Sequence, residues 1–157
     1  MLKIETLILN QPGVTDFAAA RNKLLKSAKS EWVLFLDSDE SISEDLKKEL
    51  ENLDPEDYDG FYIKRKIIFL GKPSGEDKVL RLAKKDSGVW VRKVHETWRI
   101  KGKTRTLKNY IIHNTGSDLH SYIEKMNNYS DIHALENLSE GKKSTLLKII
   151  FYPKIKF

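Results

Sequence analysis

The sequence predicts an α/β protein in which a sheet is flanked by helices, and three observations support this class. A short strand-like segment, a helical segment and a second strand-like segment open the chain, which is the order of a βαβ unit with parallel strands. The second strand begins with five consecutive apolar residues, Trp32 to Leu36, which suits a strand buried on both faces. Further strand-like segments and one long helical segment follow.

Composition limits the class of protein further. At 157 residues, with 39% hydrophobic and 32% charged residues, the chain is long enough for one globular, soluble domain with a real core. It contains no cysteine, so any metal must be held by oxygen atoms or histidine. No window approaches the roughly 20 apolar residues of a membrane span, and no signal-peptide layout begins the chain, so we expect a cytoplasmic location. The net charge of +5 favours anionic partners.

The first half of the chain carries recognisable boundaries. Ile4 to Leu9 is a predicted strand that the Pro-Gly pair at 12–13 interrupts. Thr15 or Asp16 is placed to cap a helix that runs to Lys29. After the buried strand, the segment Ser41–Glu44 fits a capping box that would open a helix. That helix carries leucines at positions 46, 50 and 53, on one face.

The second half is richer in predicted strands. The predicted strands cover residues 61–70, 79–82, 89–94 and 109–113, and residues 71–75 form a predicted turn. Ser117 is placed to cap a long helix that Gly141 ends. On that helix Lys125, Tyr129 and His133 recur at helical spacing, which by itself predicts a packing or solvent-facing stripe.

The tail, residues 146–157, alternates apolar and basic residues. Two interpretations of it stay open. It could lie on an anionic membrane surface, with its aromatic side down and its lysines toward the headgroups. Alternatively, it is an edge strand or a docking segment for another chain.

An acidic cluster follows the buried strand directly. Asp37, Asp39 and Glu40 crowd three carboxylates into four residues, and a bound cation would relieve their repulsion. Ligands of open α/β sheets bind beyond the carboxyl ends of strands, which is where this cluster is expected. The alternative is ordinary turn and cap chemistry, because Asp and Ser are common in turns.

Four segments in order resemble the family 2 glycosyltransferases with the GT-A fold, and most closely the bacterial lipopolysaccharide core glycosyltransferases. They are Phe17–Asn22, Trp32–Glu40, Trp90–Glu96, and Ile112-His113 before the long helix. The resemblance implies a mixed, Rossmann-like sheet with helices on its faces. It also implies transfer of a sugar from a nucleotide-sugar donor to a cell-envelope glycolipid or polysaccharide, with inversion and a divalent cation, Mg²⁺ or Mn²⁺.

The resemblance also implies roles for individual residues. Asp37 and Asp39 match the family's D-x-D motif at the metal and the donor diphosphate, with Asp39 favoured for metal contact and Asp37 able to reach the donor sugar or ribose. His113 resembles a histidine that completes the metal or diphosphate site. Glu96 is the expected catalytic base, which takes the proton of the acceptor hydroxyl.

The other implied contacts are to substrates. Arg21 and Asn22 match an Ala-Arg-Asn segment beside the donor pocket, and His95 would position a phosphate or the acceptor. Arg81 is expected to face either the donor diphosphate or a surface carboxylate. Trp90 and Trp98 are placed to stack on a sugar ring, although aromatic residues in strands more often belong to a core.

The sequence differs from the family pattern in one respect. Family members normally begin with about two further βαβ elements that hold the nucleotide base. Three interpretations therefore stay open: a fragment of a longer enzyme, a shortened enzyme whose open sheet edge another chain completes, or a degenerate remnant of the fold. Within one domain, residues 1–60 would form the donor and metal part, 61–115 the acceptor part and 116–157 the terminal helix and tail. A non-catalytic binding module of the same fold, acting with a partner chain or at a membrane surface, is the alternative function. No nucleic-acid motif is present.

Overall fold

A computed structural model describes residues 2–10, 14–93, 95–116, 118–142, 145–147 and 151, with the backbone alone at Lys125. The first half contains strand β1 (Ile4–Leu9), helix α1 (Phe17–Ser27), strands β2 (Trp32–Asp37) and β3 (Glu40–Ile42), and helix α2 (Glu44–Glu51). The second half contains strands β4 (Gly60–Phe69), β5 (Lys72–Lys84), β6 (Gly88–Val91), β7 (Thr97–Ile100) and β8 (Thr104–Gly116), and helix α3 (Leu119–Ser139).

The main sheet has six strands in the order β1-β2-β5-β4-β8-β3. Strand β1 runs parallel to β2, as the βαβ pattern predicts, and β4 runs parallel to β8. The other three pairings, β2 with β5, β5 with β4 and β8 with β3, are antiparallel. The chain is therefore a mixed α/β sheet with flanking helices, which confirms the predicted fold class.

Strand β2 is buried on both faces because its side chains alternate between two cores. Trp32, Leu34 and Leu36 pack on one side with leucines of α2 and with Phe61. Val33 and Phe35 pack on the other side, against α1 and the tryptophans of the β6–β7 hairpin, Trp90 and Trp98. The continuous apolar run therefore serves two cores at once.

The caps of the first two helices follow local chemistry. Asp16 caps α1, because its Oδ1 accepts a hydrogen bond of 2.8 Å from the amide of Ala19. The predicted capping box at Ser41 is wrong, since Ser41 lies in β3 opposite Ile112. Pairing with β8 keeps the backbone in strand conformation as far as Ile42. The N-cap of α2 is therefore Ser43, whose Oγ accepts a hydrogen bond of 3.1 Å from the amide of Leu46.

The predicted turn at 71–75 is also too long. Leu70 and Gly71 alone make the reversal, with φ values of 49° and 74°. Two consecutive positive φ values are the geometry of a tight two-residue hairpin, so pairing resumes at once between Phe69 and Lys72. The result is one long hairpin of β4 and β5, whose outer part is exposed on the β5 side.

The remaining elements differ from the predictions mainly in length. Strand β6 ends at Val91 and Val94 lies outside the described residues, while β7 was not predicted. Ser117 also lies outside them, and Asp118 caps α3 by accepting from the amide of Ser121 at 2.9 Å. Among the described residues, no helix combines the length and the apolar character that crossing a bilayer requires.

Candidate active site

A cleft opens at the carboxyl end of β2. Pairing between β2 and β5 covers only Trp32 to Leu34, so the two strands part before β2 ends. The opening has a volume of about 1230 Å³. Its lining includes Arg21, Asp37, Asp39, Arg81, Glu96 and His113, which are residues from six segments of the chain. The sequence-predicted residues of the metal and donor corner are thus brought to one place.

Arg21 joins two carboxylates at the floor of this cleft. It lies on α1, is 1% exposed, and donates from Nε to Oε1 of Glu96 at 2.9 Å. A terminal nitrogen of the same guanidinium donates to Oδ1 of Asp37. The guanidinium carbon lies 4.6 Å from the ring centroid of Trp90, so the planar cation is also packed against an aromatic face. Arg21 therefore fixes the positions of Asp37 and Glu96 relative to each other.

Arg81 reaches the second oxygen of Asp37 because of a bulge in β5. Phe61 pairs with Leu82 and Tyr62 pairs with Leu80, so Arg81 is the extra residue between two register positions. Bulges of this kind redirect a side chain. The Arg81 guanidinium donates to Oδ2 of Asp37 at 2.6 Å, so both carboxylate oxygens are engaged by arginine.

Burial and the two arginines act on the pKa of Asp37 in opposite directions. Burial acts to raise the pKa of Asp37, but the charges of Arg81 and Arg21 and their hydrogen bonds outweigh it. The pKa of this carboxyl group therefore lies below its usual range, and the group is ionised at neutral pH.

Glu40 extends this network, although the sequence singled it out only as part of the acidic cluster. Its side chain is fully buried and accepts hydrogen bonds from Arg81 at 3.0 Å and Arg65 at 2.9 Å. Its other oxygen accepts from the amide of Asp37 at 3.0 Å. Arg65 is paired in turn with Asp77 on the neighbouring strand, and both carboxylates raise the pKa of Arg65 against the effect of burial. Glu40 holds the loop after β2 in place.

Asp39 and His113 form the outer corner of the cleft. Pairing of β3 with β8 sets Glu40 opposite His113, and the carbonyl of Asp39 accepts from the amide of Asn114 at 2.9 Å. These contacts bring Oδ2 of Asp39 to 3.3 Å from Nε2 of His113. The two side chains are 27% and 16% exposed, so both can be reached from the cleft.

This corner fits a divalent cation that also binds substrate oxygens. Within the described ranges, no group of three or more His, Asp or Glu side chains is arranged to hold a metal ion. A carboxylate oxygen and an imidazole nitrogen supply two ligands, and Mg²⁺-type ions commonly take one or two protein ligands with substrate phosphates completing the shell. Asp37 is less suited to the role, because arginines bind both of its oxygens.

His95 and Glu96 lie in the loop between β6 and β7. Glu96 faces the cleft with its side chain 16% exposed. His95 adopts a φ of 51°, and its ring centroid lies 4.5 Å from that of His133 on α3. Burial, followed by the nearby charges of His95 and Arg92, lowers the pKa of His133. The two adjacent residues therefore have different contacts: Glu96 is ion-paired with Arg21, and His95 packs against His133 on α3.

Helix α3 forms one wall of the cleft. Tyr129 packs edge-on against Phe17 with ring centroids 5.7 Å apart, and Glu136 accepts a hydrogen bond of 2.6 Å from the amide of Lys93. Tyr129 and His133 therefore pack against the site, while the side chain of Lys125 lies outside the described part of the chain.

Asn22 and Trp90 stabilise the framework of the site. The Asn22 amide donates to the carbonyl of Trp90 and accepts from its amide, each at 2.9 Å. Trp90 is 5% exposed, stacks on Trp98 at 5.3 Å and meets Phe35 edge-on at 5.1 Å. The aromatic rings thus belong mainly to the core, and Asn22 fixes β6 to α1.

Replacing Asn22 with alanine is expected to lower the free energy of unfolding by about 2 kcal/mol, because the backbone amide and carbonyl of Trp90 lose their partners. Chemical denaturation measures the change. Asn52→Ala is the matched control, since the Asn52 amide makes one exposed hydrogen bond to the carbonyl of Lys48. Equal stability of the two variants would contradict the framework role of Asn22.

Comparison with known proteins identifies the family of the chain. The model of glycosyl transferase family 2 matches residues 5–123, which include every site residue described above except those on α3 beyond residue 123. A search of curated proteins finds no match. Because the family model covers most of the chain, the chain belongs to glycosyl transferase family 2.

Proposed function

We propose that this glycosyltransferase moves a sugar from a nucleotide-sugar donor to a cell-envelope glycolipid or polysaccharide, with inversion and with a divalent cation. The observation that carries the proposal is the convergence of Asp37, Asp39, His113 and Glu96 on one cleft in a family 2 chain. The likeness to lipopolysaccharide core enzymes supports a cell-envelope acceptor.

In this proposal, Asp39 and His113 hold Mg²⁺ or Mn²⁺ at the mouth of the cleft. A cation held there would supply positive charge that stabilises the departing diphosphate. Arg81 contacts the same diphosphate, which its position in the cleft favours. Asp37 is held between two guanidinium groups, and we assign it to the donor sugar or ribose rather than to direct metal contact.

Glu96 is the proposed base. The attacking acceptor oxygen forms a bond to the anomeric carbon while the bond from that carbon to the donor phosphate oxygen breaks, and Glu96 receives the hydroxyl proton. Arg21 holds Oε1, and no described residue is hydrogen-bonded to Oε2. One oxygen therefore positions the carboxylate while the other is available to the acceptor. We assign His95 to a substrate phosphate or the acceptor, and Arg21, Asn22 and Trp90 to shaping the donor side.

The proposal also includes partners beyond the substrates. Strand β1 pairs only with β2 among the described residues, so its outer edge is where strands of another segment or chain would add. We also propose a cytoplasmic protein with peripheral contact at the inner membrane face. Exposed apolar residues support this contact: Leu135, Leu138, Leu146, Leu147 and Phe151. The rest of the basic tail, 148–150 and 152–157, lies outside the described residues.

Asp39→Asn tests the donor site. The melting temperature of the wild-type chain is measured with Mn²⁺ and, in turn, UDP, GDP, ADP and CDP. We expect the nucleotide that the donor site binds to raise it by about 5 °C at saturating ligand. Asp39→Asn should abolish that rise, because a neutral amide is a weaker metal ligand. Asp86→Asn, the same change at an exposed site outside the cleft, should retain it. No rise with any nucleotide in the wild-type chain would contradict donor binding and favour a non-catalytic module.

A further inference from the structure

We propose that the acceptor is an anionic saccharide and that it binds along a basic–aromatic strip formed by Tyr62, Lys64, Lys66, Lys78 and Tyr110. The inference rests on the proposed function and adds the chemical class of the acceptor. The strip lies on three adjacent strands, β5, β4 and β8, on the face that carries Tyr62.

The strip is a regular feature of the sheet. Tyr62, Lys64 and Lys66 alternate along β4, so their side chains lie on one face. Lys78 pairs with Lys64 from one side and Tyr110 pairs with Lys64 from the other. Cross-strand partners share a face, so five side chains from three strands form one continuous surface.

Each lysine of the strip lies over a tyrosine ring. Lys78 Nζ is 5.1 Å from the ring centroid of Tyr62. Lys64 and Lys66 are 5.4 Å and 4.3 Å from the ring centroid of Tyr110. These contacts hold the ammonium groups beside apolar ring faces, an arrangement that offers both a stacking surface and cationic donors.

The positive charge of the strip is not neutralised locally. None of the three lysines forms an ion pair with a described residue, and the one acidic residue opposite them in the register is Glu76, across from Lys66. Arg65, which lies between Lys64 and Lys66 in sequence, is instead paired with Glu40 and Asp77. The strip therefore carries a net positive charge that favours an anionic ligand.

The strip is continuous with the cleft. Tyr62 and Lys78 line the same cleft as Asp37 and Glu96. A saccharide whose reacting hydroxyl lies beside Glu96 can extend from these residues toward Lys66. Its ring faces would pack on the tyrosines, and its phosphate or carboxylate groups would bind the ammonium groups.

A triple variant, Lys64→Gln, Lys66→Gln and Lys78→Gln, tests the inference. Titration calorimetry at low salt would use two probes, an oligogalacturonate hexamer and neutral maltohexaose. We expect the wild-type chain to prefer the anionic hexamer and the triple variant to bind it about tenfold more weakly. The matched control, Lys23→Gln, Lys26→Gln and Lys47→Gln, changes three exposed lysines on α1 and α2 and should retain wild-type affinity.

The anionic group can come from a free saccharide or from a lipid-linked one. Sedimentation with phosphatidylcholine vesicles that contain a cell-envelope glycolipid extract separates these sources, and vesicle binding that the triple variant loses and the control keeps supports a lipid-linked acceptor. Equal wild-type affinity for both hexamers, with vesicle binding unchanged in the triple variant, would overturn the inference. The diphosphate-dependent rise in melting temperature is measured without any saccharide, so its failure would contradict the proposed function separately.

Discussion

Replacing Arg21 with methionine is expected to lower the free energy of unfolding by about 3–5 kcal/mol. Methionine keeps the unbranched apolar part of the side chain but removes the charge and the guanidinium plane that packs on Trp90. Glu96 then loses its guanidinium partner in a cleft where it is 16% exposed, and Asp37 keeps only Arg81. Most of the lost free energy of unfolding comes from the Glu96 carboxylate, which is left partly buried without a charged partner.

Urea denaturation at pH 7 measures the Arg21 effect, and Arg99→Met is the control at an exposed arginine. The folded-state pKa of Asp37 is lowered, so its contribution to stability is present above the ordinary carboxyl pKa of 3.8. That contribution is lost as the pH falls through the lower folded-state value. The difference in free energy of unfolding between wild type and Arg21→Met should therefore become smaller in acid. A difference that is small at pH 7, or that grows in acid, would contradict the ion-pair account.

Glu96→Gln is expected to reduce kcat by about 10²–10⁴-fold, because glutamine cannot accept the proton of the acceptor hydroxyl. Its carbonyl oxygen can still accept the hydrogen bond from Arg21, so the fold and the donor site should survive. Release of nucleoside diphosphate, with a cell-envelope glycolipid extract as acceptor, measures the rate.

Glu31→Gln is the matched control for that measurement, since Glu31 is exposed and lies outside the cleft lining. The nucleotide-dependent melting shift of Glu96→Gln should equal that of the wild-type chain. A variant that loses this shift together with its activity would place Glu96 in donor binding. Full activity in Glu96→Gln would remove it from catalysis.

The features of the fold that the sequence predicts well are local ones. Five consecutive apolar residues from Trp32 to Leu36, ended by polar residues, are typical of a strand that is buried on both faces. The insertion of β5 between β2 and β4 is not predictable in this way, since it depends on pairings between residues such as Leu34 and Leu82. A second non-local pairing, of β3 with β8, places Ser41 in a strand, so the cap of α2 is Ser43.

The candidate site likewise combines features that the sequence predicts with features that depend on non-local pairing. Family resemblance placed Arg21, Asp37 and Glu96 in one neighbourhood, and the structure links them through one guanidinium group. Resemblance alone gave no sign that the Asn22 amide binds the backbone of Trp90. The bulge that directs Arg81 into the cleft arises from a register shift between β4 and β5. A register shift leaves no signature in the sequence of either strand.

The acidic cluster that contains Glu40 predicts a nearby cation, but not which residues supply it. Glu40 follows the D-x-D triplet directly, and a third carboxylate so close requires a cation of its own. The cations come from Arg65 and Arg81, which are far away in sequence. Only the three-dimensional arrangement could pair them.

The central claim is that Asp39 and His113 hold the cation that binds the donor diphosphate. Paramagnetic broadening of amide resonances by Mn²⁺ tests it directly, using the nucleoside diphosphate that gives the largest melting shift. We predict broadening centred on Ser38, Asp39 and His113 that strengthens when the nucleotide is added. Broadening confined to exposed carboxylates such as Asp57, and unchanged by any nucleotide, would contradict the claim.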